Sequence, residues 1–251
     1  MPGAAPPGMT QAAWILLALA GASALVDWAA VATRRHPVEY VVKPLTLAFL
    51  IGVAVTLQPV DGLQRAYFVT ALLFSLAGDV LLMLPGGERE AQAVTRSEGP
   101  RPRVPPADPP HSLPAWFDPF ALGLAAFLLA HLNYIAGFRV VGPGLDRVAL
   151  ALLAVAVIAV PLGTVISRAL VARGEQRLRL PVIAYIAVLS AMTASAVATA
   201  SLLASAGAWS FVASDTTLAW NRFITPLRWG PTAVAVTYHL AQALLIVSLV
   251  R

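Results

Sequence analysis

The 251 residues of the chain include no cysteine. That excludes a disulfide framework, a thiol nucleophile and any thiolate metal site. Charge is the second scarcity. Asp, Glu, Lys and Arg make up 12% of the residues, where a soluble domain carries about 25%. Hydrophobic residues reach 59% and mean hydropathy is +0.77. Such a surface cannot be solvated as a globule, so composition implies a polytopic membrane protein. Several motifs are missing too. No Gly-rich phosphate loop follows a strand and no GxSxG occurs, which removes nucleotide and serine-hydrolase readings. No HExxH occurs, and only His131 and His239 lie in apolar segments. A zinc site on His131, Asp79 and Asp215 is weakly signalled, and no metal or cofactor is expected. The formal net charge of +5 does not point to nucleic acid. The basic residues lie between apolar runs, where they act as a topology signal.

What is present is a set of apolar segments, at about 11–32, 40–57, 66–84, 118–138, 147–170, 180–203, 208–221 and 231–250. A helix needs about 20 residues to cross the hydrocarbon. The expected fold is all-α, a single transmembrane domain over 1–251 with about eight spanning helices, of which the second and seventh are short. The first segment contains Ala20-Gly21-Ala22, which resembles a signal cleavage site. No side-chain charge precedes it and Arg34-Arg35 follow it, so an uncleaved helix is the better reading. Twelve Lys and Arg residues flank one set of segment ends and four flank the other, with Lys43 just inside the second helix. The richer side is expected in the cytoplasm, as in a cell membrane of bacterial type, with both termini outside. The link Pro85–Pro114 contains PGGERE and GPRPRVPPADPP. Pro and charge at that density build no packed core, so a disordered cytoplasmic insert is expected. Small residues at Ala191, Ser195, Ala198, Thr199, Ser201 and Ala206 suggest close helix packing along the sixth segment.

Two carboxylates stand out. Asp79 lies in LLFSLAGDVLLML and Asp215 in FVASDTTLAWNRF. An acid among apolar side chains costs about 2.5–3.5 kcal/mol on insertion scales and is a functional-site candidate by default. Counting depth at about 1.5 Å per residue places Lys43, Asp79, Tyr185, Asp215 and Arg222 in the cytoplasmic half. Tyr238 and Gln242 stack at i and i+4, and His131 and Tyr134 lie near mid-membrane. The outer half holds few such groups, which argues for a polar cavity opening toward one leaflet. Asp27, near the end of the first helix, is read as reaching Arg34 or the interface, and His239 as structural.

In order along the chain, Lys43-Pro44-Leu45-Thr46, LLFSLAGDVLLML, FALGLAAFLLAHLNYIAGF, Pro181 with Tyr185 and Met192, FVASDTTLAWNRF and YHLAQALLIVSLVR resemble the YhhN/TMEM86 family, the lysoplasmalogenases. The resemblance runs from about residue 40 to the end, and the Pro-rich insert is its departure. It implies hydrolysis of the vinyl ether bond of lysoplasmalogens, a lysophospholipid class, to a fatty aldehyde and glycerophosphoethanolamine or glycerophosphocholine. That chemistry suits the residues. It needs an acid that protonates an alkene carbon and a group that steadies the oxocarbenium ion, much as the paired acids of glycosidases do, and apolar surroundings favour a carboxyl that keeps its proton. The expected catalytic residues are Asp79, Asp215 and His131. Lys43 and Arg222 would hold the phosphate, with Tyr134, Tyr185, Tyr238 and Gln242 completing the substrate site. The alternative is a proton-coupled transporter or lipid-binding membrane protein, since buried acids also relay protons. An intramembrane aspartyl protease fits Gly78-Asp79 superficially, but the chain lacks a Pro-Ala-Leu element and Asp215 follows Ser214.

Overall fold

A computed structural model of the chain describes residues 7–84 and 118–250. The Pro-rich insert falls outside them. The described chain forms α1 (Gln11–Ala32), α2 (His36–Thr56), α3 (Gly62–Met83), α4 (Pro119–Val140), α5 (Leu145–Ala172), α6 (Arg179–Ala198), α7 (Leu202–Phe223) and α8 (Gly230–Val247), with short 3-10 turns at Gln176–Leu178 and Ser248–Val250. It is a polytopic helical bundle. Seven of its helical segments are long and apolar enough to cross a membrane. The remaining helix, α7, is less apolar because Ser210, Ser214, Asp215, Thr216, Thr217, Asn221 and Arg222 all lie on it. That is why its apolar run reads as the short segment 208–221, while the helix itself extends from Leu202 to Phe223.

Local chemistry sets the ends. Thr10, Asp61, Asp118 and Ser201 each accept a backbone N–H from the first turn of the following helix, satisfying donors that a helix leaves open. The apolar run at 180–203 does not make one helix. It stops at Ala198, Ala200 turns back with φ of 57°, and Ser201 caps α7. The small-residue stripe expected along one helix is therefore split across two, with Ser195 and Ala198 buried on α6.

The helices pair as hairpins, α1 with α2, α3 with α4, α5 with α6 and α7 with α8, and α4 bridges to α6. The α3–α4 pair is tightest. A Cβ on Gly78 would lie 2.6 Å from the Phe127 ring, and one on Gly137 would lie 2.6 Å from the Phe68 ring. Phe68 in turn packs edge-on against Tyr134 and Phe138, at 4.9 and 5.2 Å between centroids. Helix α5 is the loosest. Only Val155, Ile166, Ser167 and Leu170 are buried along it, and Val157 is 74% exposed.

Both described ends of the chain meet at one end of the bundle. Gly8 and Gln58 exchange backbone hydrogen bonds at 2.8 and 2.9 Å, and Val60 N–H donates to Leu249 O at 2.8 Å. At the opposite end Tyr40 donates to Met83 O at 3.0 Å, and Arg173 donates to Ile224 O at 2.9 Å. The site lies toward this second end.

Candidate active site

Each aspartate sits in its own cluster. Asp79 is fully buried on α3. Lys43 of α2 approaches its Oδ1 at 3.4 Å, and the Tyr238 hydroxyl of α8 donates to its Oδ2 at 2.8 Å. Lys43 Nζ also stands 5.7 Å from the centre of the Tyr238 ring. An ammonium and a hydroxyl thus converge on the two oxygens of one buried carboxyl group. Lys43 can reach Asp79 because α2 continues through Pro44, placing residues 43 and 46 one turn apart. Thr46 donates to Val42 O and Ser23 Oγ, both at 2.9 Å.

Asp215 of α7 has a different set of partners. Tyr185 of α6 donates to its Oδ2 at 2.6 Å, and His131 Nε2 of α4 lies 2.9 Å from the same tyrosine oxygen. His131 Nε2 is itself 3.6 Å from Asp215 Oδ2. With the tyrosine hydrogen on Asp215, the tyrosine oxygen accepts from His131, so Nε2 carries the imidazole hydrogen. His131, Tyr185 and Asp215 thus form a chain of donors ending on a carboxylate. The side chain of Asp215 is 15% exposed, against 2% for Asp79, so Asp215 presents more of its surface to the cavity.

Phe211 separates the clusters, with ring centroids 4.7 Å from His131 and 5.6 Å from Tyr238. It lies one turn from Asp215 on α7. In the sequence it is one apolar residue among many, and its i, i+4 spacing to Asp215 is the one signal that could have found it. Phe127 closes the other face of Tyr238 at 5.8 Å.

Both aspartates line one cavity, together with Lys43, Tyr185, Tyr238 and Arg222. It encloses about 1130 Å³ of atom-free space, its open side included. Arg222 stands at its outer end, one residue before α7 stops, with the guanidinium carbon 3.7 Å from the Phe120 ring centre and 5.6 Å from that of Phe223. Its other walls are apolar and come from α4, α5, α6 and α7. Three expected site residues do not line the cavity. His131 reaches it through Tyr185. Tyr134 and Gln242 lie deeper and bond to each other, Tyr134 hydroxyl to Gln242 Oε1 at 2.5 Å.

Two residues set aside in the sequence are placed differently from expectation. Asp27 does not reach Arg34 or the interface. It is wholly buried, with Oδ2 4.0 Å from His239 Nδ1, and Trp28 Nε1 donates to that same nitrogen at 3.1 Å. The turn of α1 carrying Asp27 faces α8, and helix-end counting could not tell which face it was on. His239 turns into this contact, with its ring centre still 5.5 Å from that of Tyr238. Among the described residues, no three His, Cys, Asp or Glu side chains gather as a ligand set.

The pattern that defines the YhhN family matches residues 38–249. The chain belongs to the YhhN family. Similar curated proteins are named lysoplasmalogenase. One from Mycobacterium tuberculosis is 28% identical, covering 92% of this chain and 83% of its own length. The human protein named Lysoplasmalogenase TMEM86B is 35% identical over 54% of this chain and 56% of its own. The mouse protein of that name is also 35% identical, over 54% and 56%. No solved structure matches this YhhN-family chain. Every residue of the two clusters falls within the matched span.

Proposed function

We propose that this protein hydrolyses the vinyl ether bond of a lysoplasmalogen, using Asp79 and Asp215 as an acid–base pair. The observation that carries the reading is the placement of two carboxylates with unlike partners on one cavity that is basic at its outer end and apolar beyond. The names of the relatives point to the same substrate class. In the reaction a carboxylic acid adds a proton to the alkene carbon remote from oxygen. The resulting oxocarbenium ion takes up water at the carbon bonded to oxygen, and a second carboxyl group accepts the water's proton. The hemiacetal then collapses to a fatty aldehyde: the second carboxyl group gives its proton to the departing glycerol oxygen and the first takes the hemiacetal hydroxyl proton, which restores both. Water is the only co-reactant and no electron is transferred.

Asp79 is the better candidate for the carboxylate that steadies the cation, since Lys43 and Tyr238 converge on its two oxygens. Asp215, held by Tyr185 and presenting more of its side chain to the cavity, is the better candidate for the proton donor, and it regains its proton from the hemiacetal hydroxyl. Arg222 is placed to meet the phosphate of the headgroup, and the apolar walls receive the hydrocarbon chain.

The test is incubation of the purified protein with a lysoplasmalogen and with its saturated ether analogue. Aldehyde from the first and none from the second supports the reaction class; none from either overturns it. Asp79→Asn and Asp215→Asn, each checked for membrane insertion, are expected to lower kcat by about 10²–10⁴-fold, the range of a positioned acid or base. Retained aldehyde release in both would remove the pair from the mechanism.

A further inference from the structure

We propose that the hydrocarbon chain of the bound lipid leaves the cavity sideways, between α5 and α7, through an opening bounded by Ile158 and Val212, with Trp209 at its inner end. The site then grips only the first part of the chain and is blind to its far end. This rests on the reading of the ligand as a lysolipid. The experiment below is chosen so that the two can fail separately.

The first ground is length. Trp209 and Val155 are the deepest cavity residues on α7 and α5. Six residues separate Asp215 from Trp209, about 9 Å of helix at about 1.5 Å per residue. A lipid chain that reaches the bilayer midplane spans about 15 Å, half of the ~30 Å hydrocarbon core. A chain whose first bond lies at the aspartates therefore outruns the cavity and has to go elsewhere.

The second ground is where the wall is thin. Ile158 lines the cavity and is nevertheless 51% exposed, so one side chain faces both the interior and the surroundings. Its neighbours Val157 and Val160 face outward. Ile158 lies near the middle of the 28-residue α5, so what it faces outside is hydrocarbon. Helix α5 packs along α6 and touches α7 only sparsely.

The third ground is how α5 is held. Its site-side end is tied down: Ile166 and Leu170 are buried, Arg179 donates to Ser167 Oγ at 2.7 Å, and Arg173 donates to Ile224 O at 2.9 Å. Before Pro161 only Val155 is buried. Pro161 lacks the N–H that would bond one turn back, so α5 can bend there without breaking a further backbone hydrogen bond. The held part and the loose part meet at the level of the opening.

The energetic consequence sets the specificity. Lipid tails are as apolar as leucine, so moving a chain from bilayer to protein changes little. A closed cavity would reject long chains by steric exclusion. An open one accepts them without preference, and selection falls on the headgroup and the carbons beside the glycerol.

The full chain in proteoliposomes is given a short-chain and a long-chain 1-alkenyl lysolipid. Comparable kcat/KM on both is expected. Ile158→Trp should lower kcat/KM on the long chain by about tenfold or more relative to the short one, the scale of a steric mismatch in an apolar pocket, while Val157→Trp, facing lipid, should change neither. Rejection of the long chain by the unaltered protein, or equal effects of Ile158→Trp on both lipids, would overturn the opening. A second measurement needs neither turnover nor a variant. A saturated ether lysolipid carries a diazirine either beside the glycerol or at the chain terminus. The first is expected to label Asp215, Tyr185 or Tyr238, and the second bilayer lipid and outward faces of α5 and α7. Both labels inside the cavity would overturn the proposal. If no lipid yields aldehyde but the labels divide as expected, the reaction proposed above fails and the opening stands.

Discussion

Tyr185 joins two other side chains with one oxygen, donating to Asp215 at 2.6 Å and standing 2.9 Å from His131 Nε2. Tyr185→Phe keeps the ring and cuts the chain. It is expected to lower kcat on a lysoplasmalogen by about a hundredfold, the scale of losing one positioned donor, with KM little changed. Tyr134→Phe is the contrast. It strips Gln242 of a buried partner but does not touch the cavity. It should cost about 1–3 kcal/mol of stability and leave kcat intact, which thermal unfolding in detergent and aldehyde release would read separately. The two aspartates were legible in the sequence because charge in an apolar run is conspicuous. Their partners were legible by depth, since antiparallel helices bring equal depths together. Phe211 was not, because an aromatic in a hydrophobic helix has no contrast with its surroundings. Asp27 was misplaced because depth says nothing of the direction in which a side chain points.

At the level of helices, the close fit of α3 and α4 hangs on glycines. Gly137→Ala would drive a Cβ to 2.6 Å from the Phe68 ring. It is expected to destabilise the protein by about 1–3 kcal/mol through overpacking, and the loss should shrink when Phe68→Leu is added, as a lowered and then partly recovered melting temperature. The two outer spans of the site illustrate what hydropathy reads and what it does not. Helix α7 reads short because the residues that serve the cavity are polar, while Ser201 and Phe223 mark its real limits. The boundary between α6 and α7 was read a few residues late, after 203, since Ala200 turns the chain through its backbone and not through its composition.

For the molecule as a whole, the arginine count sets an expected direction. The site-side links are the basic ones and should face the cytoplasm. Residues 8 and 249 both bond to the 58–60 link, so reporters fused at either end should emerge on one side of the membrane. Phosphatase fusions at both ends should be active where only exported reporters work; inactivity at both would reverse the orientation and leave the cavity intact. The number of helices was legible because eight apolar runs stand apart in the sequence, whereas the breach beside Ile158 depends on how loosely α5 is packed, which no run of hydrophobic letters encodes. Finally, Tyr134, Phe68 and Phe138 form a block of edge-on rings, all buried. None of the three lines the aspartate cavity, and Phe138 lines a separate recess with Gln64 and Arg147. Two of the block's three rings, Phe68 and Phe138, carry no group that could pass a proton. A cell can keep two ionisable acids deep in its energised membrane without opening a leak for the protonmotive force, and vesicles carrying the protein should hold an imposed pH gradient as long as vesicles without it.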